Sequence, residues 1–81
     1  MTLEIISPEH ASSQEIAWIE MDTADGNIII HRGHAPTIYI LQPNTTSTFK
    51  LKTGKQQTVS LESGIAAIER DTVQLIIQQT I

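Results

Sequence analysis

Cysteine is absent from the chain, so neither a disulfide framework nor a thiolate metal site is available. Basic residues are scarce: five Lys and Arg against nine Asp and Glu give a net charge of −4, which argues against nucleic-acid binding driven by phosphate neutralisation. Lys50, Lys52 and Lys55 are the one local basic cluster, and their spacing beside a turn reads as a solvated strand face. No apolar run approaches the roughly 18 to 20 residues of a membrane span, and the N-terminus lacks a basic region followed by an apolar core, so the sequence reads as a soluble chain without direct membrane insertion. Neither Gly-x-Gly-x-x-Gly nor a P-loop pattern occurs, and no Ser sits in a Gly-x-Ser-x-Gly elbow. With these devices missing, nucleotide binding by such loops and nucleophilic catalysis lose their usual residues.

What is present is a succession of short apolar stretches. The 81 residues read as one domain, 1–81, whose core is modest because a domain near this size hides roughly 60% of its unfolded surface. A partner covering one face would help such a core. Thr2 to Ser7 alternates until Pro8 ends it, and Ser47 to Lys52 alternates cleanly, with Phe49 and Leu51 toward the core. In Ile16 to Met21 the faces are mixed, which predicts a bulge or a strand covered on both sides, and His10 to Ser13 reads as a polar connection. Asp25-Gly26 and Thr53-Gly54 predict hairpin turns, the latter with a two-residue loop, and Asn44 suits a left-handed position. Ser63-Gly64 predicts a bulge or a close backbone approach, after which Val73, Leu75 and Ile77 point inward. No helix is indicated, and the spacing of turn signals predicts an all-β sandwich or barrel. Trp18 and Tyr39 fit either core filling or an interface.

The most varied chemistry lies in Gly26 to Pro36, where three isoleucines predict a buried strand and a Gly-His-Ala-Pro turn follows. His31 and His34 are three apart, a metal-ligand spacing on a helix but not on a strand or turn, and no third ligand is implied nearby. A small metal-dependent hydrolase using these two histidines is the enzymatic reading; a turn-capping His is the plain one. The carboxylate pairs Asp22/Asp25 and Glu69/Asp71 flank predicted turns and read as solvating groups.

The ordered series Ser7-Pro8-Glu9, Gly26 with its apolar run into Gly33-His34-Ala35-Pro36, Leu41-Gln42-Pro43, Gly54-Lys55 and Ser63-Gly64 resembles the N-terminal β-sandwich domain of the ε subunit of F-type ATP synthases, called δ in mitochondria. The resemblance implies an all-β, flattened two-sheet sandwich of about 8 to 10 short strands with no substantial helix. It implies no catalytic residues, no metal and no cofactor. Its partners are then the γ subunit and the c-ring, and its setting the cytoplasmic side of the inner (plasma) membrane, as a peripheral part of the complex. The family's ring-facing contacts carry over onto Asn27 and His34, with His31 and Arg32 as neighbours, while Gly26, Gly33 and Pro36 shape the loop.

Departures from the pattern fall on loop residues. Asn27 stands where an acid is common, Arg32 where Pro is usual before the turn, Ile29 in place of a Gly, Pro43-Asn44 for Pro-Gly, and Ser63-Gly64 for a paired Gly. The family's two-helix C-terminal domain, which inhibits hydrolysis and in some members binds ATP, has no counterpart in these residues, so the likeness is to a short form, natural or truncated. The reading from another class is a free-standing β-sandwich adaptor or carbohydrate-type binding module that has left the synthase.

Overall fold

The computed structural model describes residues 1–79. In chain order the strands are β1 (Thr2–Ile6), β2 (Ala11–Thr23), β3 (Gly26–His31), β4 (Thr37–Ile40), β5 (Thr45–Leu51), β6 (Gln56–Leu61), β7 (Ser63–Ile68) and β8 (Thr72–Gln78), with no helix among the described residues. Hydrogen bonds join them in the order β4-β7-β8-β1-β2-β5-β6, and β3 pairs with β2. This path folds over into two layers. Strands β4, β7, β8 and β1 with the first half of β2 form one layer, and β3, β5 and β6 with its second half form the other. The expected two-sheet sandwich is therefore present, with eight strands.

Strand β2 is the part that differs most from the sequence reading. It starts at Ala11, so residues 11–13 are not a loop: they pair with Ile6, Ile5 and Glu4 of β1. Ala11, Ser12 and Ser13 are exposed, and a strand stretch wet on both sides shows no alternation to read. Further on, the register against β5 shifts between Ile16 and Trp18, leaving Ala17 as an extra residue. That bulge reconciles the mixed faces: Ile16, Ile19 and Met21 all become buried, and Trp18 turns to the half-buried outer side.

The last crossing between layers is at Glu62, the single residue between β6 and β7. The strand break falls there rather than at Ser63-Gly64, which open β7. Gly64 marks a close approach: a Cβ on it would lie 2.7 Å from the Ile76 carbonyl oxygen and 2.8 Å from Ile77 Cγ2. Only a residue without a side chain lets β7 and β8 pair this tightly.

Between the layers, Leu3, Ala66, Ile68, Val73 and Leu75 of the first meet Ile16, Ile19, Met21, Ile30, Phe49 and Leu61 of the second. Each fully buried aliphatic or aromatic side chain contributes about 1.5 to 3 kcal/mol of transfer free energy, so alternation is enforced wherever a strand contributes one. Two expectations are corrected. The three isoleucines of β3 are not all buried: Ile30 is, Ile28 is partly so, and Ile29 is 51% exposed because it points to the other side of its strand. The β5–β6 loop is four residues, Lys52 to Lys55, since the Leu51 amide donates to the Lys55 carbonyl and the Gly54 amide to the Leu51 carbonyl, with Gly54 at φ 99°. Asn44, at φ 57°, holds the left-handed position its residue type favours.

Candidate docking surfaces

The Gly-His-Ala-Pro turn leaves β3 and is tied down by a distant partner. The Gly33 amide donates to the Arg70 carbonyl at 2.9 Å, and Arg32 Nε donates to Asp71 Oδ1 at 2.9 Å. Gly33 is at φ 86°, a conformation that favours glycine. The turn is thus fastened to the β7–β8 turn at the same end of the sandwich. His34 is half-buried; its Nδ1 lies 2.7 Å from the Ala35 carbonyl oxygen, and its ring meets Tyr39 edge-on at a centroid distance of 6.4 Å. A backbone acceptor at Nδ1 favours the tautomer carrying its proton there, which leaves Nε2 as an acceptor.

The four residues read from the sequence as partner-facing do not form one cluster. Asn27 pairs across the β2–β3 hairpin with Asp22 and donates from Nδ2 to Asp22 Oδ1 at 2.8 Å. His31 is at the other end of β3, opposite Trp18, roughly 14 Å along the strand at the usual rise per residue. His31, Arg32 and His34 do share one end of the domain, and Arg32 there is bound to Asp71 within the chain. Gly26, at φ 115°, and Gly33 occupy conformations that shape the two ends of this segment. Among the described residues, no group of three or more His, Cys, Asp or Glu side chains is placed to hold a metal ion.

A larger feature lies on the outer side of the first layer, and single-residue chemistry gave no hint of it. Following the strand register, Ile40 stands opposite Ile65, Ile65 opposite Ile76, Ile76 opposite Ile6 and Ile6 opposite Ala11. Period-two alternation puts the whole row on one face. Ile38, paired with Ala67, adds to it one row away. Ile38 is 68% and Ile40 65% exposed, and Ile65 and Ile76 also remain open to solvent. The signal was in the sequence: Thr37-Ile-Tyr-Ile-Leu41 and Val73-Gln-Leu-Ile-Ile77 carry apolar residues on both parities.

A family model described as ATP synthase, Delta/Epsilon chain, beta-sandwich domain matches residues 1–81. The chain belongs to this family. No curated protein matches it by sequence. Among solved structures, this Delta/Epsilon domain is similar to a chain of the Euglena gracilis mitochondrial ATP synthase (OSCP/F1/c-ring, rotational state 1), with TM-score 0.84, 19% identity, and coverage of 93% of this chain and 48% of the other. It is likewise similar to a chain of the Tetrahymena thermophila mitochondrial ATP synthase central stalk and c-ring, with TM-score 0.81, 13% identity, and coverage of 98% and 63%. At these identities the likeness establishes the fold, and the Delta/Epsilon domain spans about half to two thirds of the length of those two chains.

Proposed function

We propose that this domain is a non-catalytic subunit of the central stalk of a rotary F-type ATP synthase, linking the γ subunit to the c-ring and supporting the coupling of ion translocation to ATP synthesis. The observation that carries the reading is the isoleucine row on the outer face of the first layer. Isolated surface hydrophobics are ordinary, but a contiguous row over several strands marks a surface that spends its time covered. In this reading γ covers the row. The end of the domain with His31 and His34, and the hairpin with Asn27, face the ring, while Arg32 holds the turn in shape through Asp71. Its setting follows as peripheral to the membrane, as part of the complex; no helix among the described residues is long and apolar enough to cross one.

Co-purification with γ and the ring, together with ATP-driven ion pumping by the synthase with and without this chain, tests the proposal. Stable association and loss of pumping when the chain is withdrawn are expected. If neither depends on it, the domain serves elsewhere, as an adaptor or binding module would.

A further inference from the structure

Strand β6 is one edge of the second layer: β5 pairs with it on one side, and among the described residues no strand lies on the other. The hydrogen bonds show which of its residues face the open side. The Leu51 amide donates to the Lys55 carbonyl across the β5–β6 loop, while the next amide, that of Lys52, donates to the Glu15 carbonyl on the opposite side of β5. Backbone groups alternate in direction along a strand, so the odd-numbered residues of β5 turn theirs toward β6 and meet Gln57, Val59 and Leu61. Gln56, Thr58 and Ser60 therefore direct their amides and carbonyls outward. Among the described residues the Ser60 carbonyl accepts from Gln79 Nε2 at 3.3 Å, and the outward groups of Gln56 and Thr58 stay open.

Sheet edges are usually blunted by a charge, a Pro or a bulge. The six residues Gln56 to Leu61 carry none of these and pair with β5 without a register shift. The other open edge of this layer, β3, is partly closed by its own chain, since the His31 carbonyl accepts from the His34 amide. On β6 the last rung is guarded only by a side-chain amide, which can swing aside.

This edge is complementary to itself. Laid antiparallel about a two-fold axis through Thr58, Gln56 meets Ser60 of the second copy and Thr58 meets its own counterpart, so residues with outward backbone groups fall opposite one another. The same register keeps both faces in step: exposed Gln56, Thr58 and Ser60 lie along one side, and half-buried Gln57 stands opposite half-buried Val59. Charge selects the direction. Lys55 and Glu62 bracket the strand, and only the antiparallel arrangement brings Lys55 of each copy toward Glu62 of the other, whereas a parallel one sets like against like.

We propose that two copies of the free chain pair antiparallel through β6, joining their second layers into one continuous sheet. The inference stands apart from the stalk reading, because it concerns the chain outside any complex.

Sedimentation equilibrium of the whole chain tests it, with each variant's melting temperature as a control on folding. A reversible dimer is expected. Thr58→Lys sets two lysines directly opposite each other and should weaken it about tenfold, as should Thr58→Glu, while an equimolar mixture of the two should associate again as a mixed dimer. Lys55→Glu should weaken association a few-fold, and Lys55→Glu/Glu62→Lys should restore it. Ile29→Lys on β3 and Ile76→Thr on the outer face of the first layer should leave it unchanged. A chain that stays monomeric up to about 1 mM overturns the proposal. So does a dimer that Ile29→Lys or Ile76→Thr dissociates and Thr58→Lys does not, since another surface then holds it. If the Thr58 mixture or the swapped double variant fails to associate, the antiparallel pairing is wrong.

Discussion

The two outer faces of this sandwich follow the same alternation and turn very different residues outward. On the second layer the outward rows hold Asn27 beside Asp22, Glu20 between Ile29 and Thr48, and Lys50 between Trp18 and Gln56. On the first layer the corresponding positions hold five isoleucines, Ile6, Ile38, Ile40, Ile65 and Ile76, and two alanines, Ala11 and Ala67, with Glu4 and Glu69 along one flank. Folding asks that the inward set be largely apolar, and both layers meet that demand, the second with Thr23 and Ser47 buried among its apolar residues. The outward isoleucines are therefore not required by the fold, and a contiguous apolar row of this kind is the mark of a contact surface.

The sharpest way to break this comparison uses two neighbours on β8 that point opposite ways. Leu75→Ala, in the closed core, should cost about 3 kcal/mol in chemical denaturation. Ile76→Thr, on the outer face, should cost less than about 1 kcal/mol while abolishing most binding of an apolar dye such as anilinonaphthalene sulfonate. If Ile76 proved as costly as Leu75, the outer face would be part of the fold and not a dock. Next in size is Gly64→Ala, which forces a Cβ against the Ile76 carbonyl and should cost about 1 to 3 kcal/mol, with the denaturation midpoint as readout. That loss would arise where the chain passes from the polar layer into the apolar one.

A smaller effect belongs to the polar layer. Thr23 is buried, donates to the Gly26 carbonyl at 2.8 Å and accepts from the Asp25 amide at 3.0 Å, so Thr23→Val should cost about 1 to 2 kcal/mol and raise amide exchange in the β2–β3 turn. Smallest is a titration shift at the rim. The Thr2 hydroxyl, 2.6 Å from Glu15 Oε1, is the main cause holding the Glu15 carboxyl below its ordinary value, with the Met1 amino group assisting against some desolvation. A depressed carboxylate adds stability above its ordinary pKa and loses it as pH falls through the depressed value. Thr2→Val should move the Glu15 titration, followed by carboxyl NMR, back upward.

Residues whose partners are close in sequence, or whose position is set by burial alone, were legible beforehand. The inward sets of β5 and β8, the bulge near Trp18, the left-handed Asn44 and the tight approach at Gly64 all came from local rules. Three things were not. The polar first half of β2 is a strand because β1 pairs with it, and no property of Ala11 to Ser13 announces that. Ile29 reads as core until the strand's parity is fixed by its register against Glu20. Arg32 finds Asp71 39 residues away, a contact that only the closed fold creates. For docking, the histidines are the residues whose chemistry is legible in the sequence, whereas the exposed apolar row is made of residues with none.

The pairing of β1 with β8 has a mechanical side. These two strands run parallel, in register over Thr2–Ile6 and Thr72–Ile76. The start of β1 and the end of β8 therefore lie at opposite ends of one ladder, and a pull between them slides the strands lengthwise. All the rungs are then strained together instead of opening one at a time like a zipper. Tension along that axis therefore loads the ladder in shear, the direction in which its hydrogen bonds act together.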